Sequence, residues 1–320
     1  MKLAPIVIFA FDRPAEFKRL LSSLTCCRLF FESEVYIFVD GPRNSLQDSA
    51  VQDVIALSNS LEHSRKNLIV RERNFGLKTS LRDGISSVLA SHETVIVIED
   101  DLVVSPDILV YFNDALNKYS SERSVFSICA DFPLEAMASN KVGAFLPHGS
   151  SWGWATWRDR WQEISFDIAS IEVLLQSRDF RRRLNGFGLR DFYRMLRDEQ
   201  EGIISSWFVY WQLTIARNSG VSLFPPHPLI SNLGFSNGTH GGRFNLFTLF
   251  GHAQKTIGKY DFQLPENVNV DWRIHNAFVS SSEWRLLRIN SVLGRLKRRG
   301  LAKFLLLRRL LDSCGKFHSG

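Results

Sequence analysis

Thr94-Val95-Ile96-Val97-Ile98-Glu99-Asp100-Asp101-Leu102-Val103-Val104 reads as a strand that runs straight into three acids and out again into apolar residues. The first five residues are a short, continuous apolar run, the pattern of a strand buried on both faces of a parallel sheet. A solvated acidic turn is the plain explanation of three adjacent acids. It fits poorly here, because a triplet clamped between two apolar runs carries both mutual repulsion and a desolvation cost. A divalent cation relieves both: Mg²⁺ and Mn²⁺ take oxygen ligands and usually keep water and substrate phosphates in their shell.

Working outward, Pro5 to Phe11 is a second apolar run, and Pro14 then stands where a helix starts, with Phe17, Leu20, Leu21 and Leu24 at helical spacing. Glu34 to Gly41 predicts a strand, Asp48 to Leu61 a helix, Leu68 to Glu72 a strand and Lys78 to Ser91 a helix. A helix over Asp107 to Tyr119 follows the acidic triplet. Strand and helix alternate, so the fold class expected is α/β, a doubly wound and mostly parallel sheet. In such sheets ligands bind beyond the carboxyl ends of the strands. Asp12, Asp40 and Glu99-Asp100-Asp101 all lie at such ends. From about Ser124 the alternation weakens. An aromatic segment, Trp152-Gly153-Trp154-Ala155-Thr156-Trp157 with Trp161, leads into a charged helical stretch over about Ile171 to Glu201 and a mixed region from Trp207 to His240.

Bulk properties narrow the class without choosing a function. A chain of 320 residues allows one large domain or two small ones, and 45% hydrophobic with 22% charged residues suits a globular protein. A formal charge of +6 admits an anionic partner, whether nucleotide, lipid or nucleic acid. The four cysteines form no CxxC pair, which argues against a zinc site and a disulfide framework and predicts free thiols in a reducing compartment. Asp12 and Arg13 interrupt the apolar N-terminal run too early for a secretory signal, and no window of about 18 uncharged apolar residues predicts a transmembrane span.

The stretch Ile96 to Asp107 closely resembles the metal-binding strand of N-acetylglucosaminyltransferase I and related GT-A fold enzymes, where an acidic triplet serves as the DXD motif. The resemblance implies that Asp101 ligates Mn²⁺ or Mg²⁺ and that Asp100, with Glu99, helps to hold a nucleotide-sugar donor. Ile8 to Arg13 resembles the opening strand of that family, whose Asp-Arg pair lies by the nucleotide. By the same likeness Asp40 matches a uracil-recognising aspartate, Arg82 a nucleotide-contacting position, and His240 of Thr239-His240-Gly241 a histidine near the metal. Trp152, Gly153 and Trp154 match its acceptor side, and bacterial sugar transferases of the glycosyltransferase family 2 type carry a similar Trp-Gly-Trp-Ala-Thr-Trp segment. The likeness covers about residues 5–242. It implies a GT-A-like arrangement: 1–123 as the nucleotide-sugar part, 124–283 as the acceptor part of the same domain, and 284–320 as a tail.

Bland alternatives stand beside several of these residues. Asp12 and Arg13 also suit a helix cap, Asp40 a turn, and the tryptophans a core. One departure from the family concerns the catalytic base. The family's aspartate lies in a Trp-Asp-Asp-Trp-like stretch, whereas Trp207 to Trp211 here holds no acid. Asp131, Asp198, Glu199 and Glu201 remain as candidates, and a catalytically inactive nucleotide-sugar-binding protein is the alternative function. A nucleotidyltransferase would show a glycine-rich basic loop after the first strand, which Phe11-Asp12-Arg13-Pro14 is not. Finally, Trp284 to Leu311 carries nine Lys or Arg and no acid among large aliphatic residues. This is the pattern of a basic amphipathic helix on an anionic membrane surface, and it predicts a cytoplasmic protein peripheral to the inner face, with a glycan or lipid-linked acceptor. A core helix with a solvated basic face is the alternative. No nucleic-acid motif accompanies the charge, and no nucleic-acid partner is expected.

Overall fold

The structure, a computed structural model, describes residues 2–131, 141–167, 171–232 and 257–281. His240 and the basic segment 284–311 lie outside the described residues.

The first half alternates as the apolar periodicity predicts. Its elements are β1 (Ile6–Ala10), α1 (Pro14–Leu24), β2 (Val35–Val39), α2 (Asp48–Ser60), β3 (Lys66–Val70), α3 (Leu77–Leu89), β4 (Thr94–Glu99), β5 (Leu102–Val104) and α4 (Ile108–Lys118). The second half adds β6 (Val125–Cys129), β7 (Ala144–Leu146), β8 (Trp154–Trp157) and α5 (Arg158–Trp161). It continues with α6 (Glu172–Gln176), α7 (Arg178–Leu184), α8 (Phe192–Gln200), α9 (Phe208–Arg217), β9 (Val221–Phe224), β10 (Ile230–Asn232) and α10 (Trp272–Ser280).

Eight strands form one sheet in the order β3-β2-β1-β4-β8-β6-β9-β7. Its first four are mutually parallel, and β6 is parallel to β9. Only β8 and β7 run against the rest, so the sheet is mostly parallel, and the second half of the chain extends the sheet of the first. One face is covered by α1, α2 and α4, whose Leu20, Val54 and Phe112 meet Ile6, Ile8 and Ile96. The other is covered by α3 and α9, whose Leu81, Ile85, Trp211 and Ile215 meet Val7, Phe9, Val95 and Val97. Alternate residues of β1 and β4 thus go to opposite cores, which is why both strands are unbroken apolar runs. The fold is the doubly wound α/β class expected.

Two expectations need correction. The charged stretch over Ile171 to Glu201 is not one helix. Ser177 and Asp191 each cap a new helix by accepting from the backbone N–H three residues on, and Gly186, Phe187 and Gly188 between them have φ of +54°, +51° and +105°. Such left-handed backbone cannot continue a right-handed helix. The second correction concerns Trp154, which was expected at the acceptor side. It is wholly buried, because its position on β8 faces the side of the sheet that α3 and α9 cover. Its ring stacks on Trp207 at a centroid distance of 5.3 Å and lies 5.5 Å from Trp211 and 6.0 Å from Trp161.

Trp154→Ala is therefore expected to destabilise the fold by about 3–5 kcal/mol, the cost of emptying a packed aromatic site. Urea unfolding of the variant measures it. A midpoint equal to that of the unmodified chain would show that the ring is not a structural keystone.

Candidate functional site

Strand register brings the acids predicted at strand ends to one edge. Phe9 of β1 is level with Glu99 of β4, and Ala10 is level with Val39 of β2. Phe11, Asp40 and Asp100 therefore leave the sheet side by side, with Asp12 and Arg13 one step further on. The N–H of Phe11 donates to Asp100 Oδ2 at 3.2 Å. Arg13 then reaches back across the edge, its guanidinium 2.6 Å from Asp100 Oδ1 and 2.9 Å from Asp101 Oδ2. Asp100 and Asp101 are both buried. The capping alternative for Asp12 and Arg13 fails: Arg13 occupies the cap position of α1 without any side-chain cap bond, and Asp12 instead accepts from the Gln47 amide.

Charge does not balance at this edge. Burial, then the neighbouring Asp101 and Asp100, push the Glu99 carboxyl up to about 8. Burial pushes Asp100 up to about 7 in spite of Arg13. Burial works against the Arg13 cation, but Asp100 and Asp101 outweigh it and raise its affinity for the proton. Fully ionised, three carboxylates against one guanidinium leave two negative charges. Asp101 Oδ1 is buried and accepts no hydrogen bond among the described residues. A carboxylate oxygen with that deficit around it suits a hard divalent cation.

Asp40 is held differently. Its Oδ2 accepts from the backbone N–H of Phe75 at 3.2 Å and of Gly76 at 3.0 Å, so the Asn74-Phe75-Gly76 turn serves to hold a carboxylate. Among the described residues its Oδ1 accepts no hydrogen bond, and Arg71 Nε lies 3.9 Å away. Arg71 in turn lies over the rings of Phe38 and Phe75, at 5.6 and 4.6 Å. Arg71 and Gln47 were not singled out in the sequence. Their roles depend on partners 31 and 35 residues away, and only the fold announces such pairings.

Not every predicted residue joins this edge. Arg82 points elsewhere, its guanidinium paired to Asp83 at 2.8 Å and lying over Phe166 at 5.7 Å, on a helix face that exposes it. Gly153 does reach the edge. It has φ +57° and lies against Ile230, Ala130 and Leu102, where the chain turns sharply into β8 and leaves Trp152 half-buried before it. Among the candidate bases, Glu199 is buried and taken at both oxygens, by the Lys78 ammonium and the Tyr210 hydroxyl. Asp198 is wholly buried, with Arg194 Nε 3.6 Å away, and Glu201 is exposed at the end of α8. Asp131 is buried just past the end of β6.

No family model matches the sequence, and no curated protein matches it. Solved structures are similar at a distance. One is the mannosyltransferase PcManGT from Pyrobaculum calidifontis in complex with GDP-Man and Mn²⁺, with 13% identity and a TM-score of 0.38 over 68% of this chain and 70% of that one. Another is S. aureus TarS, with 14% identity and a TM-score of 0.39 over 72% of this chain and 61% of that one. A third is an active-site mutant of LgtC, with 13% identity and a TM-score of 0.35 over 57% and 69%. Likenesses this distant carry no residue role across to this chain.

Arg13→Met should destabilise the protein by about 2–3 kcal/mol at neutral pH, since it leaves buried carboxylates without their partner. Glu99 and Asp100 are raised, so ionising them costs stability progressively as pH rises from about 4 towards 8. The cost of the substitution should therefore grow with pH. Thermal melting of both proteins at about pH 5 and about pH 8 checks the sign; an equal loss at both would show that Arg13 does not neutralise the cluster.

Proposed function

We propose that the chain is a metal-dependent glycosyltransferase, a hexosyl- or N-acetylhexosaminyltransferase, that moves a sugar from a UDP-sugar to a hydroxyl of a glycan or lipid-linked glycan with inversion. The observation that carries this reading is the deficit of positive charge at the end of β4, where Asp101 Oδ1 stands buried and unpaired beside Asp100 and Glu99. Asp101 would hold Mn²⁺ or Mg²⁺, and the cation supplies Lewis-acid neutralisation of a departing diphosphate when bound. Arg13, held on Asp100 Oδ1 and Asp101 Oδ2, would leave Asp101 Oδ1 to the cation, and its guanidinium is of the kind suited to a phosphate oxygen. Asp40 presents Oδ1 as acceptor for the N3–H of uracil, its other oxygen already fixed by two backbone amides. Asp12 lies between these two places, and the Trp152-Gly153 turn borders them on the acceptor side. His240 keeps the metal-side role that the sequence resemblance implies.

The second reading, an inactive nucleotide-sugar-binding protein, is favoured by α9. Its first turn, Phe208 to Trp211, holds only aromatic and aliphatic residues, and this is the segment that the sequence resemblance matches to the one carrying the family's base. Turnover separates the two. Asp101→Asn should abolish release of UDP from UDP-sugars in Mn²⁺, and excess EDTA should do the same to the unmodified chain. Asp40→Ala should weaken UDP binding in a calorimeter by about 1–3 kcal/mol, the loss of a charge-assisted hydrogen bond. Full activity in either the Asp101 variant or EDTA would defeat the metal assignment.

Among the described residues no helix is long and apolar enough to cross a membrane. We assign attachment to the cytoplasmic face of a membrane to residues 284–311, from their nine basic residues and large aliphatic side chains. Each Lys or Arg near an anionic surface contributes about 1 kcal/mol. In liposome sedimentation, binding should require anionic lipid, fall at high salt and vanish on deletion of residues 284–320. Equal binding to neutral vesicles would refute it.

A further inference from the structure

We propose that Asp131 is the general base of the transfer, replacing the acid that α9 lacks. The proposal rests on the donor reading above and adds to it the group that receives the acceptor's proton.

Register places Asp131 opposite the acidic cluster. Val97 of β4 and Cys129 of β6 are both level with Trp154 of β8, which runs antiparallel between them. The strands β4 and β6 therefore run the same way and reach the same edge. Two residues beyond Val97 is Glu99; two residues beyond Cys129 is Asp131. The two acids stand level, two strand spacings apart, or about 10 Å. They also share a face of the sheet. Ile98 and Ala130 turn into the core formed with α1, α2 and α4, so the residue after each turns to the other side.

The backbone at Asp131 is held. Ala130 N–H donates to Gly153 O at 2.9 Å, and Ala130 O accepts from Leu229 N–H at 2.8 Å. The strand end is thus clamped on both sides, and Asp131, the next residue, is buried. Of the other candidate acids, Glu199 is bound by Lys78 and Tyr210, Asp198 sits wholly buried beside Arg194, and Glu201 is exposed at the end of α8.

The separation suits a displacement with inversion. A reacting hydroxyl needs about 3–3.5 Å to the carbon it attacks and about 2.6–3.2 Å to its base. Together these take about 6 Å of the span and leave the rest for the scissile bond and the phosphate at the Asp101 side. In the step itself the acceptor oxygen forms a bond to the anomeric carbon, and its proton passes to the Asp131 carboxylate. The bond from the anomeric carbon to the β-phosphate oxygen breaks, and its electron pair leaves with the diphosphate.

The test uses the full-length chain, Mn²⁺ and a panel of UDP-sugars, with water as the acceptor. UDP binding is followed by calorimetry and UDP release by turnover. Asp131→Asn should bind UDP as the unmodified chain does, release it about 10²–10⁴-fold more slowly, and lose the acid limb of the rate–pH profile. Asp131→Glu keeps a carboxylate and should retain part of the rate with that limb displaced; it also serves if the Asn variant does not fold. Unchanged release by Asp131→Asn, an unmoved limb in Asp131→Glu, or weakened UDP binding in either would overturn the assignment. So would an unmodified chain that binds UDP but releases none from any donor. A chain that binds no UDP at all would instead sink the donor reading itself.

Discussion

The double ion pair from Arg13 to Asp100 and Asp101 ties the ends of β1 and β4 together, and most of the site depends on it. Three adjacent acids at the end of a strand buried on both faces are a liability in a folded chain. One guanidinium meets part of it. The remainder shows in the raised proton affinities of Glu99 and Asp100 and in the unpaired oxygen of Asp101. The cluster thus keeps, in the folded chain, more negative charge than Arg13 offsets. Asp40 shows the contrasting solution, with one oxygen satisfied by two backbone amides and the other left over.

The second half of the chain is joined to the first through tryptophan packing. Trp154 on β8, Trp161 on α5, and Trp207 and Trp211 at α9 make one buried cluster beneath the sheet. A second tie runs from Lys78, in the first turn of α3, to Glu199 on α8, with Tyr210 of α9 on the same carboxylate. Burying a charged pair is costly unless its hydrogen bonds are met, and here the tyrosine hydroxyl takes the second oxygen. That triad consumes an acid that otherwise looks suited to catalysis.

Much of the fold was legible in the sequence because the physics was local. Continuous apolar runs marked β1, β2 and β4, and helical spacing marked α1 and α3, with boundaries within a few residues of those observed. The acidic strand ends were legible for the same reason. What failed was whatever depended on direction or on a distant partner. An aromatic residue announces burial or stacking but not which, so Trp154 read as an acceptor contact although β8 turns it into the core. The stretch from Ile171 to Glu201 breaks at Ser177, where the backbone is extended, and at Gly186 to Gly188, where it is left-handed; the two glycines were the only signal of either break in the sequence. Nothing in the sequence told Glu199 from Asp131. Glu199 meets Lys78, 121 positions away, and Asp131 follows a strand level with β4, and both facts belong to the fold.

The antiparallel β8 is the element that gives the site its width. Were β6 paired directly to β4, the two strand ends would lie one spacing apart, about 4.8 Å, less than the proposed transfer would need between Glu99 and Asp131. Inserting β8 doubles the gap. Because β8 runs the opposite way, it starts at this edge instead of ending there, so the chain must enter through a tight turn. Gly153 supplies that turn, at a φ of +57° and with Ile230, Ala130 and Leu102 close by. The glycine is therefore required by the geometry of entry, and Trp152 before it packs against the core that α1, α2 and α4 form with the sheet. Strand polarity, more than any single side chain, sets the distance across which chemistry at this edge must work.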